Sequence, residues 1–465
     1  MNMLKISEGA DPNYLATVVK IPKIMPHGGA DKLELVEVFG NTIVIGKGSY
    51  IEGEVVVYFP TESVLSGRFL SYYNLYDNPL LNRDGTTKSY FSKSGRVKAV
   101  KLRGVPSQGV LFKVSELVKY YGIDENEFRL DSIFDTVGDD VLVTKYIKGE
   151  RVAGEANVKK SRVPKWIEKT IGVFPRPIRK NAYGFVNAWY NRDIEGIKSK
   201  IVDGHWHFHY KTQNLGQNVW LIKPEDEVTI TSKVHGTSAI YGMVLCNKTF
   251  NPLRSLWNKI GGNIKSTEYK FIYSSRSLLK NRKDGTYAED VWGNHAKVLD
   301  KEITYQNSQG LIFFGEIVGW ASSGKMIQKN YDYGVEKGKS EFWVYRATYT
   351  SENGTIRELG WNELELVCRN RNLKMVPLYY KGLAKDVFDG IPVNEEWPQS
   401  FLHALKAKYL DKKCEFCTTG AINEGIVLRN ESSEKKPALK FKSPLFVVKE
   451  TKARDNNEEN LDEDS

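Results

Sequence analysis

In the first 150 positions, β-branched residues occur only in short runs, each broken by Gly, Pro or Asp. Residues 14–21 (YLATVVKI), 33–39 (LELVEVF), 41–46 (NTIVIG) and 53–60 (GEVVVYFP) each read as a strand. Such side chains fit a pleated surface, and the breakers supply the turns. In residues 96–105 (RVKAVKLRGV), Val97, Ala99 and Lys101 fall on one side and Lys98, Val100 and Leu102 on the other. Residues 137–147 (VGDDVLVTKYI) read as a closing strand. Many short strands at this spacing predict a small closed barrel, and about 150 residues suits an elaborated OB-fold.

At 465 residues and 53.0 kDa the chain exceeds one ordinary core, and its pattern changes twice. Between Lys159 and Lys180 eight bases face one acid, with three prolines and the aromatics Trp166 and Phe174. A basic stretch interrupted by prolines reads as a linker, and its charge also suits a nucleic-acid backbone. From 209 to 450, alternating strands mix with helical stretches such as 361–373 (WNELELVCRNRNL). That mixture predicts an α+β domain with mainly antiparallel strands. The expected division is a barrel at 1–150, a basic linker at 151–208, the α+β domain at 209–450 and an acidic disordered tail at 451–465.

The net charge is +10, yet the last eleven residues hold six acids and no base, so the rest carries +16. A body that basic attracts polyanions, nucleic acid above all. No run of about 18 apolar residues suggests a membrane span, and MNMLKISEG lacks the apolar core of a secretory signal. The expectation is a cytoplasmic monomer. Four cysteines fit a reducing compartment. Cys414 and Cys417 have zinc-ligand spacing without a second pair, with His403 and Cys368 as distant candidates; two packed thiols is the simpler reading. His205, His207 and His209 share one face of a possible strand, as a polar edge or RNA contact rather than a metal site. GWASSGKM at 319–326 approaches a phosphate-binding loop, but Met326 replaces the Ser or Thr that such loops need.

The chemistry gathers around residues 226–247. Lys233 ends one strand, and Gly236 lets the backbone pass close to a ligand. A lysine amine in such a place becomes a nucleophile once burial or neighbouring cations disfavour its ammonium form. Glu316 and Glu424 each interrupt an apolar strand, which is costly unless the carboxylate binds a cation or a hydroxyl. In ALKFKSPLF, period two puts Lys440 and Lys442 on one face and Leu439 and Phe441 on the other. Two adjacent lysines invite an anion between them, and phosphate is the obvious one.

KVHGTS at 233–238, SSRS at 274–277, FFGEIVGW at 313–320, SEFWVYRA at 340–347, NEGIVLRN at 423–430 and LKFKSP at 439–444 follow one another along the chain. In that order they resemble the covalent nucleotidyltransferase superfamily of ligases and mRNA capping enzymes. His235 and IQKNYDYG at 327–334 look like its RNA ligase 2 branch. PTESVLS at 60–66 and KLRGVPSQG at 101–109 look like the OB module that some nick-sealing RNA ligases carry ahead of the transferase domain. The resemblance implies an OB-like barrel followed by a nucleotidyltransferase (adenylation, ATP-grasp-like) domain. It implies an enzyme using ATP and Mg²⁺ or Mn²⁺ on nicked duplex RNA or an RNA/DNA hybrid. Lys233 would carry AMP, and His235 would assist its transfer to the 5′-phosphate. Gly236 would line the nucleotide site, Glu316 would grip the ribose and Tyr345 would stack on adenine. Glu424 would engage the metal, Lys440 and Lys442 would neutralise phosphates, and Arg276 and Ser238 would contact phosphate or the nucleic-acid strand. Ser238 departs from the asparagine of the branch, and Arg346 stands where an acid often follows the aromatic. A capping guanylyltransferase or DNA ligase usually places an OB domain after the last lysine motif, where only about 23 residues follow Lys442. A binding protein with an inactive transferase domain is the third reading.

Overall fold

A computed structural model describes residues 3–147, 198–248, 266–280, 290–305 and 308–456. The basic stretch 159–180 and tail residues 457–465 lie outside the described residues.

The β-branched runs become strands where the sequence places them: β1 (Ala16–Lys20), β2 (Leu33–Val38), β3 (Asn41–Gly46) and β4 (Val55–Phe59). β4 pairs antiparallel with β1 on one side and with β5 (Val110–Lys113) on the other. Phe59, Phe69 and Phe112 centre one buried cluster; Val36, Ile43 and Tyr58 belong to a second. The closing strand is a correction. Gly138 takes a positive φ of 63° and turns the chain, so Thr136–Val137 pairs back on Asp140–Val141. Val143–Lys145 then leaves to pair with Ser63–Leu65. In RVKAVKLRGV, Val97 and Ala99 are buried, whereas Lys101 is exposed on a short hairpin strand, Val100–Leu102.

The second block runs β6 (Glu227–Ser232), β7 (Thr237–Asn247), β8 (Thr267–Ser274), α1 (Val291–Tyr305), β9 (Leu311–Gly319), β10 (Ser340–Thr350), α2 (Trp361–Asn370), β11 (Leu378–Leu383), α3 (Trp397–Tyr409), β12 (Gly425–Asn430), β13 (Ala438–Lys442) and α4 (Pro444–Asp455). These strands form two sheets. One is ordered β13-β12-β6-β11, with Gln213–Asn214 added parallel to β13. The other is ordered β8-β7-β9-β10 and ends on Ile356–Glu358. The architecture is α+β and mainly antiparallel. No helix among the described residues is long and apolar enough to cross a membrane.

β7 is buried on both faces. Ala239 and Tyr241 share a core with α1, which offers Trp292, Ala296, Leu299 and Ile303 at helical spacing. Ile240 and Val244 face the other way, toward Ile201 and Trp206. Residues 201–208 therefore cover a sheet face and are not a linker. They form no strand: His207 stacks on Phe314 at 5.5 Å and meets Thr348 Oγ1 at 3.1 Å. Trp206 packs against the β7 cluster while Phe208 stays exposed.

The tail boundary also moves. α4 runs to Asp455, because Phe446, Val447 and Val448 are buried and the helix end has charge partners in the first block. Arg454 Nη1 lies 2.6 Å from Glu62, and Arg96 Nη1 lies 3.0 Å from Asp455.

Candidate active site

The two sheets flank a cleft of about 350 Å³. Ten residues singled out from sequence all line it: Lys233, His235, Gly236, Ser238, Arg276, Glu316, Tyr345, Glu424, Lys440 and Lys442. The chain crosses from one sheet to the other between β6 and β7, so the KVHG segment lies at the cleft floor. Lys233 N–H donates to the Gly425 carbonyl at 2.9 Å, keeping β6 on β12 for one further residue. A methyl group on Gly236 would sit 2.5 Å from the Ile317 carbonyl and 3.0 Å from Glu316 Cβ, so only glycine lets β7 join β9 there. Gly425 is held at φ 142°, and a Cβ there would lie 2.1 Å from the Phe441 carbonyl.

Glu424 is 3% exposed and sits just ahead of β12. Its Oε1 is 2.5 Å from Lys233 Nζ and 3.7 Å from Lys442 Nζ, and its Oε2 is 3.5 Å from His235 Nδ1. Burial alone would raise its pKa. Lys233, His235 and Lys442 together outweigh burial and hold it well below the usual carboxylate range. Glu424 is therefore ionised and shared by two ammonium groups. His235 is fixed by its backbone N–H, which donates to Tyr333 Oη at 2.6 Å, and by edge-on contacts with Tyr331 and Phe446. Gln328 Nε2 donates to the Gly236 carbonyl at 2.9 Å. The IQKNYDYG segment thus forms the underside of the crossing.

On the other wall, Ser238 and Glu316 are cross-strand partners of β7 and β9. Trp292 Nε1 donates to the Ser238 carbonyl at 3.0 Å. The β9–β10 register slips, with Phe314 opposite Arg346 and Gly315 opposite Val344. Tyr345 is the extra residue of this bulge, so Tyr345 and its neighbour Arg346 both reach the cleft. Arg346 Nε is held by Glu358 Oε1 at 2.9 Å, which Arg429 also approaches at 3.4 Å. Arg276 follows β8, and its carbonyl accepts from His209 N–H at 3.3 Å. His209 is pushed down to about 3, first by burial and then by Arg276, Arg346, Lys233 and Lys440, so it stays neutral amid four cations. On β13, Lys440 and Lys442 face the cleft while Leu439 and Phe441 are buried behind.

Sequence reasoning missed several lining groups. Asp11, Asn13, Tyr14 and Lys145 reach the cleft from the first block, and Glu450 reaches it from α4. The first four lie far in sequence from the motifs, and Glu450, six residues past LKFKSP, is turned toward the cleft by α4. Two further lining groups, Arg429 and Trp361, had a signal, because the first stands inside a quoted motif and the second opens a predicted helix. GWASSGKM forms a tight turn closed by a Trp320–Met326 bridge, with no helix after it.

Cys414 and Cys417 are free, and the nearby Asp332 carboxylate is engaged by Thr418. His403 faces Glu37 at 3.7 Å, and Cys368 is buried within α2. Among the described residues no group of three or more His, Cys, Asp or Glu side chains could hold a metal ion unaided.

Residues 226–444 match the RNA ligase family, and residues 15–114 match an OB-fold domain family. No curated protein matches the chain. Solved structures of Naegleria gruberi RNA ligase are similar in fold. A mutant of it with AMP and Mn superposes with a TM-score of 0.53 at 16% identity, covering 94% of this chain and 98% of that one. A mutant with ATP and Mn gives 0.52 at 16%, with the same coverage. The form with PPi gives 0.51 at 15%, over 94% and 99%. With the motif residues gathered in one cleft and both regions matched, the chain carries an RNA ligase family domain, preceded by an OB-fold domain.

Proposed function

We propose that this protein seals 3′-hydroxyl and 5′-phosphate ends of nicked duplex RNA, or of an RNA/DNA hybrid, using ATP and a lysyl-AMP intermediate on Lys233. The observation that carries the reading is the Lys233–Glu424–Lys442 cluster, with Lys233 Nζ 2.5 Å from a buried, ionised carboxylate at the junction of two sheets.

In the first step Lys233 Nζ, having lost its proton, attacks the α-phosphorus of ATP. The nitrogen–phosphorus bond forms as the bond to pyrophosphate breaks. In the second, a 5′-phosphate oxygen displaces Lys233 from AMP. In the third, the 3′-hydroxyl attacks that 5′-phosphorus, losing its proton and releasing AMP. Such transfers depend on positioning and charge neutralisation. Lys440 and Lys442 neutralise phosphate oxygens. Arg276 and Ser238 contact phosphate or the strand, Glu316 holds the ribose, and Tyr345, freed by the bulge, stacks on adenine. His235, braced against Tyr331 and Phe446, serves the transfer of AMP to the 5′-phosphate.

The donor set suits a divalent ion in one respect. Mg²⁺ ordinarily takes one or two carboxylates and completes its shell with phosphate oxygens and water. Glu424, lining the cleft with the phosphate-facing lysines, meets that need without a three-residue cage. When bound, Mg²⁺ or Mn²⁺ neutralises phosphate charge and favours an uncharged amine nearby. Support from the relatives is that the Naegleria enzyme has been solved with ATP, AMP, PPi and Mn. We read the first block as a nucleic-acid-binding domain.

The test is incubation with Mg²⁺ and either α-labelled ATP or α-labelled GTP, followed by denaturation. ATP alone should label the protein. Lys233→Ala should abolish the label, and His235→Ala should retain it while losing sealing. Labelling by GTP would point to capping, and no label with either nucleotide to a binding protein.

A further inference from the structure

Ion pairs run from the first block to the proposed nucleophile. Arg96, 1% exposed at its side chain, reaches Glu62 through Nη2 at 2.6 Å and Nε at 3.1 Å. Glu62 also accepts from Arg454 Nη1 at 2.6 Å and from Thr451 Oγ1 at 3.2 Å. Arg454 Nη2 lies 3.6 Å from Glu450 Oε1, one helical turn earlier on α4. Glu450 accepts from Lys442 Nζ at 3.0 and 3.2 Å. Lys442 in turn lies 3.7 Å from Glu424 Oε1, the oxygen that holds Lys233.

The burial of these groups decides what the chain of pairs does. The side chains of Glu62, Glu450 and Arg454 are only about a tenth exposed, and a charge so placed is costly unless paired. Each link is therefore held by the next. Lys442 differs, with a flexible stem, a quarter-exposed head and two carboxylates within reach. Glu450 is the closer of the two.

We propose that Glu450 is a positioning residue for lysyl-adenylation. Anchored through Arg454 to Glu62 of the OB-fold block, it holds the Lys442 ammonium off Glu424 and in the cleft. The first block would then govern the first chemical step through α4, without touching the nucleotide. This rests on reading Lys233 as the nucleophile and Lys442 as a phosphate-neutralising group.

The experiment is single-turnover labelling of the full chain by α-labelled ATP. Glu450→Gln keeps the side-chain shape and should slow label formation about tenfold at saturating ATP, with the apparent KM changed less than about twofold. Glu62→Gln should act in the same direction and more weakly. Lys442→Ala and the double variant Lys442→Ala/Glu450→Gln should be equally slow, because Glu450 acts only through Lys442. A general loss of fold would add a second loss in the double variant, so additive losses overturn the proposal. Wild-type or faster labelling by Glu450→Gln overturns it as well. A wild-type chain that takes no label would instead sink the ligase reading itself.

Discussion

The two walls of the cleft are built from different chemistry. The β6-β12-β13 wall supplies Lys233, Glu424, Lys440 and Lys442, all charged, whereas the β7-β9-β10 wall supplies a hydroxyl, a carboxylate, the aromatic ring of Tyr345 and one guanidinium, Arg346. On the first wall the groups are coupled, because one buried carboxylate is shared by two lysines and approached by a histidine. On the second, Ser238 and Glu316 are cross-strand partners and Tyr345 comes from the neighbouring strand. A ligand with a charged end and an aromatic end, such as a nucleotide, matches the pair of walls. Substitutions on the charged wall should therefore disturb one another the more strongly, because they share one buried carboxylate.

The largest expected effect is at the hub. Glu424→Gln should slow self-labelling by about 100-fold, the scale of losing one preorganised charge in a catalytic site. It should also change acid stability in a defined direction. The Glu424 pKa is lowered in the folded state, so its contribution is fully present above the unfolded value of roughly 4.3 and is lost as pH falls through the folded value. Denaturant unfolding of wild type and Glu424→Gln from pH 6 downward checks this. The stability gap should close only below about pH 4, and a gap independent of pH would break the comparison.

A smaller effect belongs to the aromatic wall. Tyr345→Ala should weaken ATP binding about tenfold, the value of one stacked base, with little change in the rate at saturation. A rate loss without an affinity loss would show that the walls do not divide in this way. The smallest effect is at the crossing between them. Gly236→Ala should destabilise by about 1–3 kcal/mol through overpacking against β9, read as a lower Tm. An unchanged Tm would mean that β7 and β9 separate there at no cost.

Much of the site was legible because its chemistry is local. Lys233, Glu316, Glu424, Lys440 and Lys442 each announce themselves as a charge in an apolar run, and strand alternation says which way β13 faces. The same logic failed at VGDDVLVTKYI, where Gly138 turns a chain that β-propensity would have kept straight. It failed at HWHFH too, where Trp206 packs on β7 and His207 on Phe314 of β9 and no strand forms. Arg346 looked out of place from sequence because an acid often follows the aromatic there; the β9–β10 bulge brings both Tyr345 and Arg346 to the cleft, where Glu358 holds Arg346.

By itself the sequence determined the strands, the α+β class and the order of the nucleotide-handling motifs, since propensity and periodicity act over neighbouring residues. Only the tertiary structure decided that Glu424 is shared, that Glu450 stands behind Lys442 and that Glu62, far along the chain, anchors the end of α4. The Lys233–Glu424 and Glu62–Arg454 pairs join residues distant in sequence, and Lys442 meets Glu450 only because α4 turns the chain back on β13.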